Sequence, residues 1–142
     1  MDRRAFLAWC GVGTIAGSLP WAIAACASST TSTSSVAPGA FAPVGTLAQL
    51  DQDSQLLVKD GLAKPVLVIR DPTDAQKLIA VNPTCTHNRC TLAWKTAHNR
   101  FVCPCHNAQF NPDGTVAQGP ATSPLPVYPV KVEAGQVLVQ VL

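Results

Sequence analysis

Residues 85–106 read CTHNRCTLAWKTAHNRFVCPCH and place cysteine and histidine in two short boxes, residues 85–90 and 103–106. Four of the chain's 6 cysteines and two of its 3 histidines fall inside these two boxes, and the third histidine, His98, lies between them. Thiolates and imidazoles are common protein ligands of zinc and of iron–sulfur clusters. The clustering therefore predicts a metal centre.

Each box offers one thiolate and one imidazole. Cys85 and His87 are two positions apart, and Cys103 and His106 are three positions apart. The 15 residues between His87 and Cys103 are enough for a hairpin that returns the second box beside the first. Four such ligands suit either zinc or a two-iron cluster.

Cys90 and Cys105 are a further pair, one in each box. As ligands they would crowd the centre with six donors, whereas a bridge between them would join the two loops. A zinc ribbon has no use for such a bridge. A zinc-stapled binding module, which would be colourless, is the weaker hypothesis.

The rest of the chain supports one modest all-β domain. Its 142 residues are 47% hydrophobic, and 12 prolines and 9 glycines stand among many valines and leucines, which favours short strands and fixed turns. The net charge of +2, with 13% charged residues, provides no basic field, so we expect no nucleic-acid partner. A membrane or a protein partner is favoured.

Residues 41–142 form the predicted domain, in which short strands alternate with turn signals. Ala134-Gly135 predicts the turn of a terminal hairpin, and residues 112–114 predict another tight turn. We expect a small antiparallel sandwich or barrel whose ligand boxes lie on loops. The predicted strands are residues 42–47, 55–58, 65–70, 77–82, 91–95, 100–102, 127–133 and 136–141.

Residues 1–27 form a predicted export or anchoring segment. The Arg3-Arg4 pair, followed by phenylalanine and leucine, resembles the twin-arginine export motif. Residues 6–26 carry no charge and would reach about 32 Å as a helix, although their glycines and Pro20 also allow a cleavable signal. Residues 23–26 resemble a bacterial lipobox, which would make Cys26 a lipidated N-terminus. Residues 28–40 are a Ser/Thr-rich flexible tether with a mean span of about 20 Å.

The two boxes, followed by Gly-Pro-Ala at residues 119–121, resemble the Rieske iron–sulfur proteins of quinol-oxidising cytochrome bc-type complexes. The twin-arginine start and the tether belong to the same pattern, so the resemblance covers residues 2 to about 126. It implies a [2Fe-2S] cluster in which Cys85 and Cys103 hold the buried iron. His87 and His106 would hold the exposed iron.

The resemblance also implies a disulfide between Cys90 and Cys105. Residues 119–126, which begin with Gly119-Pro120, match the family's proline-rich loop that covers the cluster. An ordinary connector stiffened by its prolines is the alternative for this segment.

This ligand set has an electronic consequence. Two ferric ions, two sulfides and two thiolates sum to zero, so reduction leaves one negative charge rather than the three left with four thiolates. Reduction is therefore easier, and such centres lie at about −150 to +300 mV. An imidazole on ferric iron becomes more acidic and regains basicity on reduction, which couples a proton to the electron.

Two residues after the second box depart from the family pattern. High-potential members carry a serine and a tyrosine whose hydroxyls donate hydrogen bonds to sulfur, whereas this chain has Ala108 and Phe110. Donors to sulfur stabilise the reduced state. Each missing donor is expected to lower the potential by roughly 60 to 130 mV.

The first box departs as well, with Asn88-Arg89 where quinol-oxidising members often have Leu-Gly. Arg89 adds a positive charge that suits an acidic protein partner, with a solvated arginine of no role as the alternative. Asn107 replaces a glycine, and asparagine is a common substitute where the backbone needs positive φ. Outside the boxes, His98 is expected in an exposed turn and Trp94 in the core.

The leading hypothesis is an exported, membrane-attached protein that transfers single electrons and protons on the periplasmic or lumenal side. Its partner would be a cytochrome, a bc-type complex or another oxidoreductase. In a bc-type complex it would be a subunit of a quinol:electron-acceptor oxidoreductase, with quinol as donor. The departures suggest a divergent low-potential form of the kind found in cyanobacteria and other bacteria.

The alternative is the electron-transfer small subunit of an exported molybdenum oxidase of the arsenite oxidase type. A soluble ferredoxin of a ring-hydroxylating oxygenase is disfavoured, because such ferredoxins lack the disulfide pair and the export signal.

Overall fold

The computed structural model describes residue 37 and residues 39–142. These residues form one short helix and eleven strands, all of whose pairings are antiparallel, so the all-β antiparallel prediction is confirmed. The elements are β1 (Phe41–Thr46), α1 (Leu47–Asp53), β2 (Leu56–Val58), β3 (Val66–Asp71), β4 (Asp74–Val81), β5 (Ala93–Lys95), β6 (Arg100–Val102), β7 (Gln109–Phe110), β8 (Val116–Gln118), β9 (Val127–Tyr128), β10 (Val130–Glu133) and β11 (Gln136–Gln140).

The strands are arranged in three sheets, with the orders β1-β11-β10, β2-β3-β4-β9 and β5-β6-β7-β8. Strand β3 is buried on both faces: Val66 and Val68 pack in the hydrophobic cluster that contains Val137 of the first sheet. Leu67 and Ile69 pack in the cluster that contains the third sheet's aromatic residues. Because successive side chains of a strand point to opposite faces, the second sheet lies between two cores. This explains the unbroken apolar run of β3.

Helix α1 was not predicted, although its start has a recognisable sequence signal. Thr46 caps the helix: the Gln49 backbone N–H donates to Thr46 Oγ1 (3.2 Å), and the Thr46 backbone N–H donates to Gln49 Oε1 (3.0 Å). This is a capping box, in which a threonine is followed three residues later by a glutamine. Leu50 supplies the buried contact that holds the helix against the domain.

The predicted strand at residues 127–133 is wrong as a single element. It divides at Pro129 into β9, which pairs with β4, and β10, which pairs with β11. Proline has no backbone N–H to donate to a ladder, so the break falls there. Strands β7 and β8 were also missed, since two and three residues are too few to display an alternating pattern.

The predicted signal segment, with Cys26, and all of the predicted tether except residues 37, 39 and 40 lie outside the described residues. They stay predictions, as does the division at residues 27 and 40. Within the part of the chain that the structure describes, no helix has the length and apolar character of a membrane span.

Candidate metal centre

The hairpin of β5 and β6 brings the two boxes to the same end of the molecule. Ala93 pairs with Val102 at the box end of the hairpin, and Thr84 forms an isolated bridge with Thr91. The predicted hairpin is confirmed. At its other end His98 is exposed in the turn, as expected.

Trp94 lies in the core, as predicted, and is only 9% exposed. Its ring centroid is 4.9 Å from that of Phe101, its partner across the hairpin. Such aromatic pairs stiffen a short hairpin beyond what their buried area contributes. The hairpin is thus a rigid support for the boxes.

The two boxes have the same backbone shape. In each, the carbonyl of the first cysteine accepts from the residue four positions later, and the amide of that cysteine donates to the residue five positions later. The bonds are Arg89 N–H to Cys85 O (2.9 Å), Cys85 N–H to Cys90 O (2.8 Å), Asn107 N–H to Cys103 O (2.9 Å) and Cys103 N–H to Ala108 O (2.8 Å). The histidine nevertheless occupies the third position of the first box and the fourth of the second.

Both loops require a left-handed residue at the same position. Arg89 has φ 54° and Asn107 has φ 57°. The expectation that Asn107 has positive φ is confirmed, and asparagine tolerates this region well. For a residue such as arginine, it costs about 1 kcal/mol or more relative to glycine.

The four predicted ligand side chains divide into a buried pair and an exposed pair. Cys85 and Cys103 are 1% and 0% exposed, carry free thiols and belong to the same hydrophobic cluster. His87 and His106 are exposed, and their ring centroids are 4.9 Å apart in an edge-on arrangement. Two thiols and two imidazoles from neighbouring loops form a donor set that fits a Rieske-type [2Fe-2S] centre.

A disulfide joins the two loops, as the resemblance implies. Cys90 and Cys105 are bonded, with their Cα atoms 6.5 Å apart. The Sγ atom of Cys103 lies within 4.8 Å of both disulfide sulfurs. These three sulfurs are not a ligand set, because two of them are bonded to each other. The disulfide therefore fastens the loops immediately beside Cys103.

Residues 119–126 pack against the first box. The Thr86 hydroxyl donates to the Ser123 carbonyl (2.7 Å), and Ala121 and Leu125 are buried in the cluster that holds both free thiols. The Leu125 amide donates to the Gly114 carbonyl (2.8 Å). The segment is thus anchored at its middle and at its end.

Gly119 and Pro120, the two residues of this segment singled out in the sequence, are exposed and are joined by a cis peptide bond. Their predicted role beside the cluster stays a prediction.

The β7–β8 turn supports this segment through Gly114. The carboxylate of Asp113 accepts from the Thr115 amide (3.0 Å) and hydroxyl (2.6 Å), and these bonds lower the pKa of Asp113. Asn111 donates to the same hydroxyl (2.9 Å) and accepts from Arg100 (2.6 Å). The sequence predicts the turn at residues 112–114 but not its contact with residues 119–126, since the two segments meet only in the fold.

The immediate surroundings of the two free thiols are apolar. Ala108 and Phe110 are both fully buried in the same cluster as Cys85 and Cys103. Neither side chain has a group that donates a hydrogen bond. Asn88, by contrast, is exposed in the first box.

Comparison with known proteins identifies the family. The family model of the Rieske [2Fe-2S] domain matches residues 40–129. The crystal structure of the cyanobacterial plasma membrane Rieske protein PetC3 from Synechocystis PCC 6803 is similar, with a TM-score of 0.64 and 42% identity, over 69% of this chain and 97% of that one. A ferredoxin of carbazole 1,9a-dioxygenase from Nocardioides aromaticivorans IC177, at 24% identity and a TM-score of 0.60, covers 72% of this chain and 98% of its own, and shares the fold alone.

Curated relatives are iron-sulfur subunits of the cytochrome b6-f complex. The subunit of Prochlorococcus marinus (strain MIT 9303) is 36% identical over 67% of this chain and 53% of its own length. That of Chlorobaculum tepidum is 32% identical over 75% of this chain and 52% of its own. The chain thus spans about half the length of these relatives. With a family match over most of the described residues and a donor set that fits the cofactor, the chain belongs to the Rieske [2Fe-2S] domain family, and its cofactor is a [2Fe-2S] cluster.

Proposed function

We propose that this protein is a one-electron carrier whose cluster is held by Cys85 and Cys103 on one iron and by His87 and His106 on the other. The observation that carries the proposal is the division of these donors into two buried thiols and two exposed imidazoles on twin loops. When bound, the cluster supplies the centre that takes up and releases the electron.

The protein's own residues determine how the electron reaches a redox partner and how its proton reaches solvent. The buried thiolates of Cys85 and Cys103 lie in an apolar cluster from which water is excluded. The exposed rings of His87 and His106 leave one nitrogen each for a proton or for a partner's hydrogen bond. With the cluster bound, these nitrogens would be the positions at which a proton accompanies the electron.

We expect the midpoint reduction potential of this protein to be lower than that of the quinol-oxidising bc-type Rieske proteins. Ala108 and Phe110 are buried in the same hydrophobic cluster as the thiols and have no side-chain group that donates a hydrogen bond to sulfur, so the extra negative charge of the reduced state is less well stabilised. This supports a role in low-potential electron transfer rather than in quinol oxidation.

The relatives support the proposal that this protein belongs to a membrane redox system. The curated relatives are cytochrome b6-f subunits, and the similar crystal structure is of a plasma membrane protein. Together with the predicted export segment, this supports a protein held at the outer face of a membrane beside a cytochrome or a bc-type complex. Co-purification with a large molybdenum-containing subunit would instead favour the arsenite oxidase type.

A redox titration followed by electron paramagnetic resonance tests the proposal. We expect a rhombic signal from the reduced protein, a midpoint well below that of quinol-oxidising relatives, and a fall of about 60 mV per pH unit once one proton accompanies each electron. His106→Asn should abolish the rhombic signal, whereas the matched control His98→Asn should retain it. A midpoint as high as that of quinol oxidisers would contradict low-potential transfer, and a signal retained in His106→Asn would contradict the ligand assignment.

A further inference from the structure

The end of the molecule that carries the histidines has an unusual charge distribution. Residues 84–90, 103–108 and 119–126 make up its loops, and apart from the two histidines they contain one ionisable side chain outside the cysteines, that of Arg89. The acidic residue closest in sequence to these loops is Asp113, and its carboxylate accepts hydrogen bonds from Thr115 within its own turn. Arg89 is therefore, histidines apart, the one charged side chain that these loops present.

Arg89 is also free to bind a partner. Its side chain is exposed and has no ion pair or hydrogen bond with any residue that the structure describes. The other arginines of the described chain are engaged: Arg70 bonds to Asp51 (2.6 Å) and Arg100 bonds to Asn111 (2.6 Å).

The backbone conformation at residue 89 is one that arginine adopts only at an energetic cost. The position has φ 54°, where glycine is the least strained residue, and the equivalent position of the second loop holds Asn107, which tolerates this region. Arginine is the costlier occupant, and strained residues concentrate at functional sites. A charge kept at such a position, two residues from an exposed histidine, suggests a use.

We propose that Arg89 makes the histidine end a docking surface for an acidic protein, with the guanidinium pairing a carboxylate of the redox partner. A guanidinium binds a carboxylate through two parallel hydrogen bonds, which fixes orientation as well as proximity. An unopposed charge also accelerates encounter with a negatively charged surface. The partner would then receive or deliver its electron beside His87. This inference rests on the proposed electron-carrier function.

The test uses two forms of one acceptor. Native cytochrome c is basic, and succinylation of its lysines replaces ammonium groups with carboxylates, so the two forms share a haem and differ in charge. The full-length, cluster-loaded protein is reduced with dithionite, and its oxidation by each form is followed by stopped flow at low and at high salt.

The decisive quantity is the ratio of the rate constants with succinylated and native acceptor. A change in driving force caused by a mutation affects both acceptors, whereas a change in docking affects their ratio. For the unmodified chain, we expect the succinylated form to react about threefold to tenfold faster at low salt, with the preference fading as salt is added.

The variants separate charge from conformation. Arg89→Glu should reverse the preference, Arg89→Gly should remove it while relieving the backbone, and Arg89→Lys should retain most of it. Lys95→Glu is the matched control, because Lys95 is an exposed base at the far end of the same hairpin. It should leave the ratio within about twofold of the unmodified value.

A ratio that Arg89→Glu and Arg89→Gly leave unchanged would overturn the docking role while leaving electron transfer intact. If Arg89→Glu does not assemble its cluster, Arg89→Gly still decides the question. A reduced cluster that passes electrons to neither acceptor would instead overturn the proposed function, and this inference with it.

Discussion

Ala108 and Phe110 link the sequence directly to the expected chemistry of the centre. Both are fully buried in the hydrophobic core that also contains the two free thiols. A buried position has no water to replace a missing hydrogen-bond donor, so the side chain itself decides how many donors the sulfur atoms receive. The identity of these two residues was evident in the sequence, whereas their burial in the same hydrophobic cluster as the thiols came from the structure.

Ala108→Ser should raise the midpoint potential. A hydroxyl that donates to a charged sulfur stabilises the reduced state by about 1.5 to 3 kcal/mol, which corresponds to roughly 60 to 130 mV for one electron. Redox titration by electron paramagnetic resonance measures the change. Ala117→Ser, at an exposed position of β8, is the control and should leave the midpoint in place. An unchanged midpoint in Ala108→Ser would mean that missing donors do not set the potential.

Asn107→Ala should destabilise the second loop by about 1 kcal/mol, because alanine has no side-chain oxygen to favour φ 57°. Asn107→Gly should cost less than about 0.5 kcal/mol, since glycine adopts this region without strain. Urea unfolding of the cluster-loaded protein measures both. Asn88→Ala, in the exposed part of the first box, controls for loss of a surface amide. Equal losses for alanine and glycine at residue 107 would contradict a conformational cause.

Among the elements, the β7–β8 turn has a role that the sequence did not predict, which is to hold residues 119–126 in place. The sequence predicts a turn at residues 112–114 and a loop at residues 119–126 but gives no reason to join them. In the structure the Leu125 amide donates to the Gly114 carbonyl, and a Cβ atom on Gly114 would lie 3.0 Å from the Leu125 carbonyl oxygen. Glycine is needed here for its φ of 86° and for this close approach.

Gly114→Ala should therefore destabilise the protein by about 1 to 3 kcal/mol and loosen residues 119–126 from the first box. Gly135→Ala is the matched control: its φ is 76°, but nothing lies within 4 Å of an added Cβ atom. It should cost only the backbone strain, about 1 kcal/mol. Thermal unfolding compares the two variants, and hydrogen exchange of the Leu125 amide reports the loosening. Equal destabilisation by both substitutions would show that the contact with Leu125 contributes nothing.

At the scale of the whole described domain, the central sheet divides two cores, and the two cysteines proposed as thiolate ligands lie in one of them. Cys85 and Cys103 share the core formed with the third sheet, while α1 and the first sheet share the other. The end of the domain with the two boxes consists of short strands and loops, which form few backbone hydrogen bonds with one another. The disulfide between Cys90 and Cys105 therefore adds a covalent link where the sheets contribute little stability.

Replacing both Cys90 and Cys105 by serine should lower stability by about 3 kcal/mol, as estimated from the entropy of closing a loop with a sequence separation of 15. We expect the visible absorption of the cluster to bleach at a lower temperature. Treatment of the unmodified protein with a thiol reductant should reproduce part of that shift. An unchanged bleaching temperature in the double variant would show that the loops are held by packing alone.

The sequence by itself determined the cysteine and histidine boxes proposed as ligands, their spacing, the all-β class and the absence of serine and tyrosine hydroxyls after the second box, because ligand boxes and strand alternation are local patterns. It also contains the local signals for the Thr46 capping box and for the break at Pro129. The family resemblance implied a buried and an exposed side of the centre, and the tertiary structure showed the burial of Cys85 and Cys103 and the exposure of the histidines. Only the tertiary structure decided how the β7–β8 turn supports residues 119–126. The reason is physical: burial and long-range hydrogen bonds arise from segments that are distant in the chain, and local periodicity carries no record of where those segments meet.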